Sequence, residues 1–507
     1  MSKKYLPCVY FLITVILYMY GFRYGASAFF AEKFKTLPTL EVVGFSFLYL
    51  LQFISAVFFM SWLYKYKYHI TRTLSIIFSL IIAVNFFISI SCIIIYHSNF
   101  SVGIAANILS SDVNEAVNTE TNFTLPFIFT SFFYIFLFSS VQAFSKYRVT
   151  VPKLVFSSFW IIFPFATEVG SMPKSTDKNI LHHFFIYHAV DFQRGNNILK
   201  EFKTLKNLSP VKYNFRIKGE GVENLIIFIG ESARRQNHSL YGYKRKTTPY
   251  QDREKKNMLL FTRANAPAGH IRAVLALILS SLDPENYEKD KSGINDNIVN
   301  IANQYGYTTY WMSTQNDLSG MEPIILAARY KIWKNYQYDA SLVPEFEKIL
   351  ARKGKKLIFI HINGSHINAC KRYPKNQAFF YGDPVFDCYD NSILYTDKTI
   401  GKVMEKLKNS NSALIYFSDH GETVIDNTII HADSKDAASV PFYIWYSDLI
   451  PKSLVTKGEY NKSVQTSIVF PLALDLMGLD SSPYQKYKKN VFLKDDLNSV
   501  PYDQLEE

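Results

Sequence analysis

Cysteine is scarce in this chain, with four among 507 residues, and glycine and proline number only 21 and 19. So few cysteines exclude a small fold held together by disulfides, and so little glycine and proline excludes a collagen-like chain. Hydrophobic residues make up 48% of the sequence, which excludes an intrinsically disordered protein. The chain is also too long for one ordinary domain, so we expect at least two.

Charged residues are also scarce, but only in the first third of the chain. Residues 1–169 contain 11 Lys/Arg and 6 Asp/Glu, which leaves 44 and 37 for residues 170–507. The second part has the charge content of an ordinary globular domain, whereas the first part is far more apolar. The mean hydropathy near zero is therefore an average over two unlike parts.

Residues 1–170 contain apolar runs long enough to cross a bilayer, for which about 20 residues are needed. The sequence predicts five spans, near residues 5–27, 42–63, 73–96, 125–144 and 154–170. Arg23 and Glu168 are the charged residues that come closest to a span interior, and both lie near predicted span ends. An anchor is therefore a better interpretation than an ion transporter, which needs ionisable groups inside the membrane.

The charges of the predicted loops orient this anchor. Residues 97–124 contain three acidic residues and no Lys or Arg. The loops on the other side contain the basic residues Lys3, Lys4, Lys65, Lys67, Arg72, Lys146, Arg148 and Lys153. Because Lys and Arg are enriched in cytoplasmic loops, we expect a cytoplasmic N-terminus and place everything after residue 170 across the membrane. That location excludes nucleic acid as a partner.

The sequence pattern changes beyond the anchor. We expect residues 171–222 to form a connector along the membrane surface. From 223 to 507, short β-branched runs alternate with helical stretches, which predicts an α/β domain with a largely parallel sheet. The predicted strands are 225–229, 307–312, 357–362 and 413–417. His361 lies within the third strand and is predicted to be a hydrogen-bonded core residue.

Polar residues follow the predicted strands directly. Glu231 comes after the first strand, His366 after the third, and Asp419 and His420 after the fourth. In open α/β sheets ligands bind beyond the carboxyl ends of the strands, so these side chains are expected to converge. Carboxylates combined with imidazoles favour Zn²⁺ or Mn²⁺ over Ca²⁺. We therefore predict a metal site at Glu231, Asp419 and His420, with His366 and His431 as further candidates.

Several segments around these residues resemble the signatures of bacterial phosphoethanolamine transferases, a membrane-anchored family of the alkaline phosphatase and sulfatase superfamily. They are GESAR at 230–234, LYGYKRKTTP at 240–249, GSH at 364–366, KRYP at 371–374, YDNSILY at 389–395 and SDHGE at 418–422. The resemblance implies a multi-pass protein of the bacterial inner membrane whose C-terminal catalytic domain is periplasmic. It also implies a disulfide between Cys370 and Cys388.

The resemblance further implies a reaction. Phosphoethanolamine passes from phosphatidylethanolamine, through a phosphorylated threonine of the enzyme, to lipopolysaccharide (lipid A or core) or another surface glycan. The counterparts of Glu231, Asp419 and His420 hold a zinc ion, which lowers the pKa of the nucleophile and neutralises charge on the phosphoryl oxygens. The counterparts of His366 and His431 bind the transferring phosphate or a second zinc.

The sequence departs from the family at the nucleophile. Counted from Glu231, the register of the family's threonine at the start of an apolar helix falls on Ile271. Isoleucine has no lone pair, so it can neither bind zinc nor attack phosphorus. Three explanations stay open. The protein binds without transferring, a neighbouring group such as His270, Thr262 or Ser280 replaces the threonine, or this sequence carries a change from threonine.

Two other activities and one non-catalytic role compete with this function. Sulfatase activity is excluded, because the chain has no Cys-x-Pro-x-Arg or Ser-x-Pro-x-Arg motif. A phosphoglycerol transferase shares the five spans, the glutamate ligand and the threonine nucleophile, but the segments at 240–249 and 389–395 favour phosphoethanolamine. The rival of another class is a catalytically silent membrane member of the family that acts in binding or assembly, and Ile271 is its main support.

Overall fold

The structure of the chain is a computed structural model. It describes a few isolated positions and residues 8–18, 53–66, 68–92, 120–146 and 212–505, except for 270, 288, 316–320, 335–336, 367, 426–427, 488–490 and 495–497. The chain divides into two compact units, Met1–Ala105 with Val113–Arg194, and Ala106–Asp112 with Gly195–Glu507. Most of the predicted connector at 171–222 lies outside the described residues, so its boundaries stay predictions.

The first unit is helical in its described part. Its helices are α1 (Cys8–Tyr18), α2 (Phe53–Lys65), α3 (His69–Ser91) and α4 (Glu120–Phe144). Each overlaps one of the first four predicted spans, and α3 and α4 are long and apolar enough to cross a membrane. The fifth predicted span lies outside the described residues, so the number five stays a prediction.

Aromatic packing joins these helices. Tyr18 of α1 stacks on Phe53 of α2 with 4.1 Å between ring centroids, and Phe86 of α3 stacks on Phe133 of α4 at 4.2 Å. All four side chains are buried. The outward-facing apolar residues of α3 and α4 include Leu74, Ile77, Val84, Phe127, Phe132 and Ile135. Exposed apolar side chains on helices of this length fit contact with lipid.

The second unit is an α/β domain. Its strands are β1 (Asn224–Gly230), β2 (Met258–Phe261), β3 (Ala264–Asn265), β4 (Thr308–Ser313), β5 (Tyr330–Trp333), β6 (Lys356–His361), β7 (Ser412–Ser418), β8 (Thr423–Ile425), β9 (Thr428–Ile430), β10 (Phe442–Tyr446), β11 (Gly458–Tyr460), β12 (Val464–Gln465), β13 (Val491–Leu493) and β14 (Ser499–Pro501). Its helices are α5 (Pro249–Glu254), α6 (Ile271–Leu279), α7 (Ile298–Gln304), α8 (Glu322–Ala327), α9 (Val343–Leu350), α10 (Asp387–Leu407), α11 (Lys435–Ala438) and α12 (Val469–Leu476).

Eight strands form one sheet in the order β11-β2-β10-β7-β1-β6-β4-β5. Strands β7, β1, β6, β4 and β5 are parallel, and β10 runs antiparallel to both of its neighbours. The four predicted strands are β1, β4, β6 and β7, each confirmed to within one residue at either end. Every residue of β1, β6 and β7 is buried, which explains why these segments are continuous apolar runs.

Two further predictions about the second unit are confirmed. His361 lies in β6 and is buried, and its Nδ1 atom is 3.3 Å from the Ser313 hydroxyl. Cys370 is disulfide-bonded to Cys388 in the first turn of α10, with 4.6 Å between their Cα atoms. The bond ties the segment that follows β6 to α10, and this segment contains His366.

Candidate metal centre

Two neighbouring strands place the acidic residues of the candidate site side by side. Strands β1 and β7 are parallel, and Gly230 is aligned with Ser418 at their carboxyl ends. Glu231 and Asp419 are the next residues, and the Asp419 N–H donates to the Gly230 carbonyl over 3.1 Å. This alignment brings the two carboxylates close together beyond the carboxyl ends of the strands, where ligands bind in α/β folds.

Glu231, Asp419 and His420 form a compact cluster. One ligand atom of each lies within 4.8 Å of the others. The His420 Nε2 atom is 3.4 Å from Glu231 Oε1 and 3.5 Å from Asp419 Oδ2, and all three residues are buried. Three oxygen and nitrogen donors at this spacing are of the kind that can hold zinc with one coordination position open.

The orientation of these side chains fits a bound cation. The Oδ1 atom of Asp419 accepts hydrogen bonds from the backbone N–H groups of Ser232 at 3.0 Å and His420 at 2.7 Å. Its Oδ2 atom is buried and has no hydrogen-bond partner among the described residues, which is costly unless a cation satisfies it. The His420 Nδ1 atom lies 2.8 Å from the Gly421 carbonyl. That contact requires an N–H at Nδ1 and leaves Nε2 as the ligand atom.

The pKa values of the cluster are those of a site built around positive charge. Burial, followed by the charge of Glu231, raises the pKa of Asp419 well above its ordinary value. Burial also acts to raise the pKa of Glu231, but a hydrogen bond from His420 lowers it below its ordinary value. Burial acts to lower the pKa of His420, and the charges of Asp419 and Glu231 raise it well above its ordinary value. These directions favour retention of a proton by the cluster, and a metal ion that bound there would displace it.

The turn after β1 holds a strained backbone next to the ligands. Ser232 has a φ of 56°, in the left-handed region that residues other than glycine seldom adopt. This conformation lets its hydroxyl donate to Glu231 Oε1 over 2.7 Å. Gly364 lies against the same turn, where a Cβ atom would meet the Glu231 carbonyl oxygen at 2.7 Å. Strain of this kind is concentrated at functional sites.

Gln315 is a site residue that the sequence analysis missed. Its Nε2 atom donates to Glu231 Oε2 over 2.9 Å and to the Ile362 carbonyl over 2.7 Å. It lies just beyond β4, after the polar pair Ser313 and Thr314. That strand end is a signal for a site, but no motif distinguishes the glutamine that follows it.

A second group of candidate ligands shares His420 with the first. His420, Glu422 and His431 each offer one ligand atom within 4.8 Å of the others. The His420 and His431 rings are 4.6 Å apart, and His431 Nδ1 is 3.8 Å from Glu422 Oε2. Burial raises the pKa of Glu422 to about 7. The structure thus brings His431 to the site and adds Glu422, which the sequence analysis did not select.

His366 lies in neither of these groups but faces the same charges. The Arg372 Nη2 atom is 2.9 Å from His366 Nδ1. A guanidinium only donates, so Nδ1 is an acceptor and the ring N–H is at Nε2. Burial, reinforced by the charge of Arg372, lowers the pKa of His366 to about 4 although the charge of Glu231 opposes this. His366 therefore presents a neutral N–H donor of the kind that binds a phosphoryl oxygen.

The position predicted for the nucleophile, Ile271, lies at the start of α6. This helix begins at Ile271, in agreement with the predicted register. The side chain of Ile271 and the whole of His270 lie outside the described residues. Gly269 abuts Asp433 so closely that a Cβ atom on the glycine would collide with the carboxylate. Because Asp433 follows His431 by two positions, the approach to α6 lies beside the second ligand group.

The two other hydroxyl groups considered as substitutes are engaged elsewhere. Ser280 follows α6 and its hydroxyl donates to the Ala276 carbonyl over 2.5 Å. Since α6 has nine residues, Ser280 lies about 13 Å from the start of the helix. Thr262 follows β2, which β10 and β7 separate from β1, and its hydroxyl donates to Asn461 Oδ1 over 2.8 Å.

The second unit matches a known family of domains. Residues 223–479 match the sulfatase family. The Escherichia coli (strain K12) protein YhbX is 31% identical over 405 residues, which cover 74% of this chain and 73% of that protein. The phosphoethanolamine transferase EptC of the same strain is 27% identical over 302 residues, which cover 52% of each chain.

Two solved structures share the fold. The integral membrane protein lipooligosaccharide phosphoethanolamine transferase A of Neisseria meningitidis has a TM-score of 0.64 and 19% identity, over 97% of this chain and 99% of that chain. The C-terminal periplasmic domain of Escherichia coli EptC, in complex with zinc, has a TM-score of 0.51 and 24% identity, over 59% of this chain and 97% of that chain. The α/β domain therefore has an alkaline-phosphatase-like fold with a mostly parallel sheet.

Proposed function

The chain belongs to the sulfatase family of the alkaline phosphatase superfamily, and from this premise we propose that it is a zinc-dependent phosphoethanolamine transferase. The donor is phosphatidylethanolamine, and the acceptor is lipopolysaccharide, at lipid A or core, or another surface glycan. The observation that carries the proposal is the buried cluster of Glu231, Asp419 and His420 at the ends of β1 and β7. The names of two similar proteins, phosphoethanolamine transferase EptC and lipooligosaccharide phosphoethanolamine transferase A, support phosphoethanolamine as the transferred group.

We assign the metal to the same three residues. The zinc complex of the EptC domain favours zinc over manganese. When bound, zinc supplies positive charge to the phosphoryl oxygens and lowers the pKa of a hydroxyl that it contacts. Asp419 and Glu231 supply carboxylate oxygens, and the His420 Nδ1–H bond to Gly421 keeps Nε2 free to coordinate.

Other residues of the chain act on the phosphoryl group and on its acceptor. His366, held by Arg372, donates its Nε2–H to an oxygen of the phosphoryl group. Glu422 has a pKa raised to about 7 by burial, which suits a general base that takes the proton from the acceptor hydroxyl. His431 lies beside it and binds the phosphate or a second metal ion.

The proposal places the chain in the bacterial inner membrane. Helices α3 and α4, and the likeness to a full-length integral membrane protein, support a multi-pass anchor. We propose a five-span anchor at 1–170 with a cytoplasmic N-terminus, an interfacial connector at 171–222 and a periplasmic catalytic domain at 223–507. The absence of Lys and Arg from residues 97–124 supports this orientation.

A second candidate function is a silent relative that keeps the fold for binding or assembly. Ile271 favours it, because the start of α6 then offers no hydroxyl for a phosphorylated intermediate. The cluster of Glu231, Asp419 and His420 favours the enzyme, because two buried carboxylates and an imidazole destabilise the fold unless they bind a cation. The two candidates differ in whether the lipid donor is cleaved.

One experiment separates them. The purified full-length chain and its Ile271→Thr variant are given zinc and a fluorescent phosphatidylethanolamine in detergent, and release of fluorescent diacylglycerol is followed. Release by both proteins, abolished by Glu231→Ala, would exclude the silent candidate. Release by Ile271→Thr alone would exclude a substitute nucleophile in the parent. It would mean that the parent is silent and that its domain lacks only the hydroxyl at position 271. Release by neither would contradict the proposed transferase activity.

A further inference from the structure

An aromatic loop, residues 379–381, is exposed on the surface of the second unit. Phe379 and Tyr381 are 68% and 74% exposed, the two largest values among the exposed large apolar side chains described in this unit. Phe380 between them is partly buried and meets Phe379 edge-on, with 5.2 Å between ring centroids. Two water-exposed aromatic rings in one loop mark a binding surface.

The aromatic loop is held in place although its tips are exposed. Asn391, buried on α10, accepts hydrogen bonds from the N–H groups of Phe379 at 2.7 Å and Phe380 at 2.9 Å. Its Nδ2 atom donates to the Phe380 carbonyl over 3.0 Å. The guanidinium of Arg245 lies 5.3 Å from the centroid of the Phe380 ring and pairs with Asp390 at 3.0 Å. A loop fixed in this way binds a partner with little loss of conformational entropy.

The exposed charge next to the aromatic loop is positive. Lys371 and Lys375 precede it in the same segment, and both are exposed. The acidic residues that follow it point to Arg245, at 3.8 Å for Asp383 and 3.0 Å for Asp387. Aromatic tips beside lysines favour a partner that is apolar and anionic at once, and the headgroup region of a bilayer is both.

The same segment leads to the candidate site. Arg372 lies between the two lysines in sequence, and its Nη2 atom is 2.9 Å from His366 Nδ1. Cys370 is bonded to Cys388 in α10, the helix that also holds the aromatic loop through Asn391. The aromatic loop and His366 are therefore parts of one braced segment. A surface that touches the aromatic loop is held at a fixed distance from His366.

We propose that the aromatic loop docks the catalytic domain onto the phospholipid bilayer. Phe379 and Tyr381 enter the interfacial region, and Lys371 and Lys375 contact anionic headgroups. This inference rests on the proposed function in that the bilayer contains the donor lipid. Docking holds His366 at a fixed distance from the bilayer surface, so the loop positions the domain rather than taking part in the chemistry.

The test places a tryptophan at the tip of the loop in the full-length chain. Phe379→Trp and Tyr381→Trp are made singly, with Leu449→Trp as the control, because Leu449 is 63% exposed and lies outside the loop. Each protein is reconstituted in nanodiscs of phosphatidylcholine and phosphatidylglycerol, in which the phosphatidylcholine either is or is not brominated on its acyl chains. The emission of the parent, which has five tryptophans, is subtracted.

Docking predicts that bromine quenches the added emission at 379 and 381 and leaves that at 449 unquenched. Neutralising both lysines, as Lys371→Gln with Lys375→Gln, lowers the ratio of docked to undocked domain by roughly fivefold per lysine. Equal quenching at all three positions, or none at 379 and 381, would overturn the proposal. A change of emission with a soluble glycan but not with brominated lipid would also overturn it. The quenching does not require catalytic turnover. A chain that docks but transfers nothing is therefore distinguished from one that does not dock.

Discussion

Gln315 and Glu231 are joined by a hydrogen bond that fixes one oxygen of the predicted zinc ligand. The Gln315 Nε2 atom lies 2.9 Å from Glu231 Oε2, while Glu231 Oε1 faces His420 at 3.4 Å. The amide is anchored in turn by the Ile362 carbonyl at 2.7 Å. One carboxylate oxygen is thus bound to the scaffold, and the other faces the centre of the cluster.

Gln315→Leu should therefore weaken zinc binding. Leucine keeps a similar volume but cannot donate, and loss of a group that orients a ligand costs about 10–100-fold in metal affinity. The measurement is competition for zinc against a fluorescent chelator. Gln377→Leu, at an exposed position, is the matched control and should bind as the parent does. Equal affinity in both variants would show that Gln315 does not orient Glu231.

Zinc binding should become tighter as the pH rises. The pKa of His420 is raised well above its ordinary value by Asp419 and Glu231 despite burial, so the metal-free cluster still holds a proton near pH 7. Zinc must displace that proton, which makes the apparent affinity rise about tenfold per pH unit for each proton released. Calorimetry in two buffers of different ionisation enthalpy counts the protons. Zinc binding without proton release would contradict the raised pKa.

Asp419→Asn should stabilise the metal-free protein and abolish its response to zinc. The asparagine carbonyl can still accept from the N–H groups of Ser232 and His420, while the buried charge beside Glu231 disappears. We expect the free energy of unfolding to rise by about 1–2 kcal/mol, because substitutions that remove a functional group from an active site can stabilise the fold at the cost of activity. Thermal melts with and without zinc measure both effects. Asp448→Asn, at an exposed position, is the control and should keep the zinc-dependent shift.

Removal of the disulfide should destabilise the second unit. Cys370 and Cys388 are 18 positions apart, and closing a loop of that length stabilises a fold by about 3 kcal/mol in the chain-entropy account. The double variant Cys370→Ser with Cys388→Ser should therefore melt at a lower temperature. Cys8→Ser, which changes a free and exposed cysteine, is the control. A melting temperature unchanged by the double variant would mean that α10 holds this segment without the bond.

The strands that the sequence predicted are those that are almost completely buried. β1, β6 and β7 are buried on both faces, so each appears in the sequence as an uninterrupted apolar run. Two edge strands escaped prediction because they lack such a run, since β5 is largely exposed and β11 is Gly-Glu-Tyr. β10 was not predicted either although it has the apolar run Phe-Tyr-Ile-Trp-Tyr, and the pattern does not reveal that it is antiparallel to β7.

Some residues of the candidate site could likewise be predicted from the sequence, and others could not. Glu231, Asp419 and His420 come directly after strands, and parallel alignment brings such residues together, so their convergence could be predicted. Gln315 and Glu422 are set by the path of the chain after the strand ends, which periodicity does not encode. The contact of Arg372 with His366 depends on the course of the segment between β6 and α10. Position after a strand is thus visible in the sequence, and side-chain direction in a loop is not.

The pairing of β1 with β7 also determines when the metal site can form. Ser232 and Asp419, which join the two ligand turns, are 187 positions apart in the chain. A contact of such long range requires closure of the chain across the intervening β4, β6 and α10, which has a high entropic cost. An unfinished chain therefore has no preformed trap for a stray metal ion. The proposed zinc ligands therefore come together only in a chain that has closed this long loop.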